Sequence, residues 1–285
     1  MKWKGRQTSS NVEDRRGRNV RRTKRTGGIG IVGIILIVVF SMVTGENPMK
    51  LLQNVNGSQQ TNQQYIPTNS TGENEELAQF AKVVFKDTED VWTKLFKDQL
   101  GKRYIFPKMV IFNDYTNGAC GEAGTATGPY YCPVDQTIYM DLVFLRDLGK
   151  KYDAVGDFAA AYVIAHEVGH HVQNLLGILQ DVQKKRQYLS KKEYNKLSVR
   201  LELQADFLAG MWAHHAQKMK HILDEGDIEE AINAAAGVGD DRLQKKAQGY
   251  IVPDAFTHGT SKQRATWFLK GFKTGSFEYA DTFNN

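Results

Sequence analysis

The pentapeptide His166-Glu167-Val168-Gly169-His170, preceded by the apolar run from Ala159 to Ala165, constrains this chain more than any other feature. Residues four apart on a helix share a face, so both imidazoles can reach one metal ion. Glu167 lies next to the first histidine and can reach a water on that ion without being a ligand itself. The segment must therefore be a helix, near 156–176, whose polar face looks into a cleft. A catalytic zinc keeps three protein ligands and leaves a fourth position for water, so the fold must bring a third side chain from elsewhere.

Downstream, the stretch from Ser198 to Gly210 supplies it. Glu202 and Asp206 are four apart on a helix expected near 190–218, among the apolar residues Leu201, Ala205, Leu208 and Ala209. Two carboxylates on an inward face are costly unless they are paired or bind a metal. Glu202 is then the expected third ligand of one zinc per chain. Asp206 is expected to accept a hydrogen bond from the free ring nitrogen of a ligating histidine. Gly169 fits the same picture, because a glycine within a helix costs about 1 kcal/mol relative to alanine and suggests a close approach. Simple tolerance is the alternative.

These parts imply peptide-bond hydrolysis by an activated water, with Glu167 as general base and then general acid. A donor for the developing oxyanion is also needed. His258, in Thr257-His258-Gly259-Thr260-Ser261, is one candidate, and the alternative is a surface histidine ahead of a helix capped by Thr260 or Ser261. His171 faces away from the metal pair and is expected to be structural. His214, His215 and His221 lie several turns beyond Glu202 and should serve packing or surface roles.

Charge is distributed unevenly. Residues 1–26 hold ten Lys or Arg against Glu13 and Asp14, a balance of +8, so the remaining chain carries −3 of the net +5. The body gives no sign of nucleic-acid binding. Gly27 to Gly45 follows without a charge, and as a helix it would be about 28 Å long, close to the thickness of a bilayer core. The expected organisation is a basic cytoplasmic tail (1–26), one transmembrane helix (27–45), a flexible polar linker (46–72) and a folded domain (73–285). By the positive-inside rule the domain would lie outside the cytoplasm, attached to the cell membrane by that single helix. In that setting Cys120 and Cys132 would form a disulfide worth about 3 kcal/mol. Two free buried thiols are the alternative.

Within 73–285, Leu77, Phe80, Val83, Val84, Val91, Trp92, Leu95 and Phe96 recur at helical spacing and predict a long first helix. Arg103–Phe112 and Gln136–Leu142 are expected strands, joined by a glycine-rich connection from Asn117 to Pro133 that contains both cysteines. The second strand could pair with an extended peptide substrate or be internal. Beyond Leu142 the pattern is helical, with shorter helices near 227–236 and 240–248 and a last one after Ser261. The fold class is therefore α+β, mostly helical with a small β-sheet, preceded by one transmembrane helix.

Four segments, His166 to Gly177, Leu201 to Asp206, Gly128-Pro-Tyr-Tyr-Cys-Pro133 and His258-Gly-Thr-Ser261, together resemble the neutral zinc metallopeptidase family of bacterial membrane-anchored proteins. The resemblance spans roughly 75–285. It implies a zincin-like fold with His166, His170 and Glu202 as zinc ligands, Glu167 as the catalytic residue, and proteins or peptides as substrates. A catalytically silent zinc-containing binding or scaffold domain is the competing class. A di-iron carboxylate site would need a second Glu-x-x-His pair, which the chain lacks.

Overall fold

Helices begin and end where the sequence supplies caps. The computed structural model describes residues 1–17, 72–124 and 128–284. Its first helix, α1 (Gly72–Leu100), buries Phe80, Val84, Phe85, Trp92, Leu95 and Phe96 along one face. The chain then enters a four-stranded sheet of order β1-β2-β6-β5, with β1 Val12–Asp14, β2 Lys108–Phe112, β5 Tyr130–Cys132 and β6 Thr137–Asp141. β1 and β6 flank β2 in parallel, and β5 pairs antiparallel with β6. A separate hairpin of β3 (Tyr115–Gly118) and β4 (Gly121–Gly124) precedes β5.

The expected strand from Arg103 shortens to Lys108–Phe112, because Pro107 has no amide hydrogen to give a ladder. The glycine-rich connection contains three strands, and a disulfide between Cys120 and Cys132 ties the hairpin turn to β5. β6 has partners on both sides, so it is internal, and β5 is the outer strand of the sheet.

After β6 the chain is helical. Asp141 caps α2 (Leu142–Tyr152) by accepting the Val143 amide at 2.9 Å. There follow α3 (Asp157–Leu175), α4 (Ile178–Lys185), α5 (Lys191–Lys220), α6 (Asp227–Gly237), α7 (Asp240–Gln248) and α8 (Ser261–Thr274). Reciprocal side-chain and backbone caps start α5 (Ser190 with Glu193) and α8 (Thr260 with Gln263). The core lies between α1, α3, α5 and α8, where Phe158 stacks on Trp212 at 5.9 Å and Tyr162 meets Phe268 edge-on at 5.5 Å. Each such side chain, fully buried, contributes about 1.5–3 kcal/mol. His214 and His215 bond the Phe272 and Gly275 carbonyls beside the end of α8, which makes them packing residues.

The start of the chain departs most from expectation. Residues 1–17 belong to the same compact body as the domain. β1 completes the sheet, Trp3 packs edge-on against Phe80 at 5.5 Å, and the Met1 amino group lies 2.6 Å from Asp157. Two of the basic side chains are paired with acidic partners: Arg6 with Asp87 at 2.5 Å, and Arg16 with Asp14 and Glu75 at 2.6 and 2.9 Å. The expected stretch 27–45 lies outside the described residues, and among those described no helix is long and apolar enough to cross a membrane. The expected localisation, with the tail in the cytoplasm and the domain beyond the membrane, is thereby corrected. A strand hydrogen-bonded into the domain sheet shares the domain's side, and Arg6 and Arg16, two of the charges that suggested a cytoplasmic tail, are paired within the fold.

Glu89, buried in α1, accepts both the Ser9 hydroxyl at 2.6 Å and the Asn11 amide at 2.8 Å. Glu89→Ala should destabilise the protein by about 1–3 kcal/mol and speed amide exchange across residues 9–16 before the rest of the sheet. Unchanged exchange in that segment would show that this carboxylate does not hold it.

Candidate metal centre

Helix α3 is apolar enough to be buried almost throughout, and its histidines are stripped of water accordingly. Gly169 is where it meets α5. A methyl group there would sit 3.0 Å from the Ala205 carbonyl oxygen and 3.2 Å from Ala205 Cα, tighter than ordinary contact. That close approach sets His166 and His170 against Glu202 and Asp206. One donor atom each from His166, His170 and Glu202 lies within 4.8 Å of the others. Nε2 of His166 is 3.1 Å from Glu202 Oε2, and Nε2 of His170 is 3.5 Å from Oε1.

The opposite ring nitrogens are held from behind. Nδ1 of His166 lies 2.9 Å from Asp206 Oδ1, and Nδ1 of His170 lies 2.9 Å from the Gln173 side-chain oxygen. Both Nε2 atoms are thereby aimed at the same carboxylate. Two imidazole nitrogens and one carboxylate oxygen, with their outer partners in place, form a donor set that suits zinc.

Asp206 of α5 is fully buried, and two other helices satisfy it. Tyr162 of α3 donates its hydroxyl at 2.5 Å, and Arg264 of α8 donates Nε and Nη2 to the two oxygens, each at 2.9 Å. Burial opposes ionisation of Asp206, but Arg264 and His166 outweigh it and hold its pKa below the usual value. Burial also opposes charge on His166, yet the two carboxylates raise it to about 10. The same balance raises His170 and holds Glu202 well below the ordinary carboxylate range. By contrast His171 is pushed down to about 4 by burial, and its nitrogens are bonded to the Tyr131 hydroxyl and the Ile105 carbonyl. It is a structural residue.

A cavity of about 510 Å³ opens over the cluster, lined among others by His166, Glu167, His170, Glu202, His258 and Arg264. His258 is half exposed and reaches this cavity from the loop before α8. Asp240 shapes that loop, accepting the backbone amides of Thr257, His258 and Gly259 at 2.7, 2.6 and 3.0 Å, and its Oδ1 lies 3.3 Å from His258 Nδ1. Thr260 caps the helix as one sequence alternative had it, and the same loop also brings His258 to the cavity.

Sequence reasoning named His166, Glu167, His170, Glu202 and Asp206 and missed Tyr162, Gln173, Asp240 and Arg264. Gln173 could have been found three residues beyond His170, on the same helical face. Its amide nitrogen bonds the Leu201 carbonyl at 2.7 Å and Gln204 at 3.1 Å. Arg264 and Asp240 are distant in sequence from the motif and carried no signal of their own.

The sequence profile of the family described as "Putative neutral zinc metallopeptidase" matches residues 1–283. The chain is 46% identical over 286 residues to uncharacterized protein YpfJ of Escherichia coli strain K12, covering 99% of each. It is 42% identical over 191 residues to uncharacterized protein Mb2605 of Mycobacterium bovis, covering 64% of each. No solved structure matches.

The donor set predicts about one zinc per chain, lost in Glu202→Ala. Asp206→Asn or Arg264→Gln should weaken zinc binding about 10–100-fold. Because the metal must displace protons from histidines whose pKa is raised, affinity should climb as pH rises from 6.5 toward 10, with proton release on binding. Calorimetry in buffers of different ionisation enthalpy measures this, and a pH-independent affinity would mean that the metal-free histidines are neutral.

Proposed function

Given that the chain belongs to the neutral zinc metallopeptidase family, we propose that it is a zinc-dependent peptidase with a zincin-like fold of the glutamate-ligand type. The observation that carries this reading is the convergence of His166, His170 and Glu202, with Glu167 on the same cavity wall. The three converging residues hold zinc. Bound there, zinc supplies Lewis acidity, lowering the pKa of a coordinated water toward about 7 and polarising a peptide carbonyl.

Glu167 accepts the proton of the attacking water and returns it to the leaving amine. Asp206 holds the His166 ring by its Nδ1 and, with Arg264 opposite, keeps it from turning during that transfer. His258 is the donor for the developing oxyanion, oriented by Asp240 through its backbone and its Nδ1 side. A substrate in extended form lies along β5, whose Tyr130 and Tyr131 line the cavity; β6 is enclosed by its neighbours and cannot take this part.

The test is hydrolysis of denatured casein by the zinc-loaded protein. Glu167→Gln should keep its zinc and lose turnover, and His258→Ala should keep its zinc and lower kcat by about 10²–10³-fold. If the zinc-loaded parent and Glu167→Gln are equally inert, the domain is a binding or scaffold module that retains the metal for structure.

A further inference from the structure

The cavity over the metal cluster has a second, chemically different end. Val163 lies on α3 one turn before His166 and faces the cavity beside it. Across from it, Phe144 and Tyr152 of α2 meet ring to ring at 5.5 Å. Gly237 packs so closely on Tyr152 that a methyl group there would lie 2.4 Å from the Tyr152 carbonyl oxygen, which brings Val238 to the same wall. Leu243 of α7 completes it. Val163, Tyr152, Val238 and Leu243 are only half buried, so apolar surface remains open to the cavity.

Each charged side chain or histidine among the described lining residues has a role elsewhere in the cavity, His258 included, whose Nδ1 faces Asp240 at 3.3 Å. Glu202 faces the histidines, and Arg264 is fully engaged by Asp206 and Tyr162. Glu167 is assigned to the proton transfer. A charged substrate side chain placed against Phe144, Tyr152 and Leu243 would lose its water and gain no partner, whereas an aromatic or branched aliphatic one would bury its own surface and theirs. At about 510 Å³ the cavity falls within the roughly 300–1,000 Å³ typical of ligand clefts.

We propose that the Phe144–Tyr152–Val163–Val238–Leu243 end of the cavity is the selectivity pocket, and that it takes a bulky apolar side chain next to the bond to be cleaved. This rests on the peptidase reading above for its biological meaning, and on the cavity alone for its chemistry. The pocket sets which peptides are held and leaves the proton transfer to Glu167.

The experiment separates binding from turnover. Fluorescent pentapeptides with Phe, Leu, Asp or Lys at the central position are titrated against the zinc-loaded Glu167→Gln full chain, and the same peptides are offered to the zinc-loaded parent. Phe and Leu peptides should bind at least about tenfold more tightly than Asp or Lys peptides. Leu243→Arg should improve the Asp peptide about tenfold and weaken the Phe peptide, at unchanged zinc content. Val238→Lys serves as a second variant on a different element and should shift preference the same way. Equal affinities across the four peptides, absence of binding to any, or an unaltered order in both variants would overturn the pocket assignment. Discrimination in binding without cleavage by the parent would uphold the pocket and sink the peptidase reading.

Discussion

The buried carboxylate of Asp206 is the contact on which the centre of this fold depends. An ionised group removed from water must be met by charge and hydrogen bonds on every side, or the helix that carries it cannot pack. Here α3 supplies His166 and Tyr162, and α8 supplies the guanidinium of Arg264, so one carboxylate on α5 fixes three helices to each other. The helices reach these distances only because glycines remove side chains at the crossings. A methyl group on Gly210 or Gly271 would fall 2.0 Å from a backbone oxygen of the facing helix. Backbone proximity and charge compensation therefore support one arrangement together.

The two histidines are supported unequally. His166 leans on a charged group, whereas His170 leans on the neutral amide of Gln173, which passes its own bonds to Leu201 and Gln204, and Gln204 in turn reaches the Ala280 carbonyl. A carboxylate strengthens an imidazole as a donor more than an amide does. His166 is thus the more basic partner, and its support is also the one tied to the distant α8. The chain end beyond α8 matters for the same reason, since Ala280 closes the amide relay under His170.

The sequence disclosed the parts of this centre that obey local rules. The fourfold spacing of His166 and His170 and of Glu202 and Asp206 is a property of any helix, and the apolar residues around them reveal which face turns inward. Gly169 was legible as a close approach for the same reason. Arg264 and Asp240 were not, because a lone Arg or Asp outside a motif has no period or partner visible in one dimension. Three strands of the glycine-rich connection were missed since each is only three or four residues long, too short to show alternation. The basic opening segment misled for a deeper reason. Net charge by residue window treats Arg6 as free, whereas its partner Asp87 lies about eighty residues further on, and Arg16 is shared between Asp14 inside the window and Glu75 about sixty residues beyond.

Charge also explains why the cavity can have two such different ends. In the centre, Arg264 carries one positive charge against the three carboxylates Glu167, Glu202 and Asp206, a deficit that a divalent cation held by His166, His170 and Glu202 would cancel. A cation there would offset the carboxylates where a carbonyl oxygen gains negative charge, and His258 lines the same cavity as the proposed donor. On the proposed reading, the apolar wall that starts at Val163, one helical turn before His166, and the charged centre divide the work in one cavity: one favours an apolar side chain, the other holds the reacting groups.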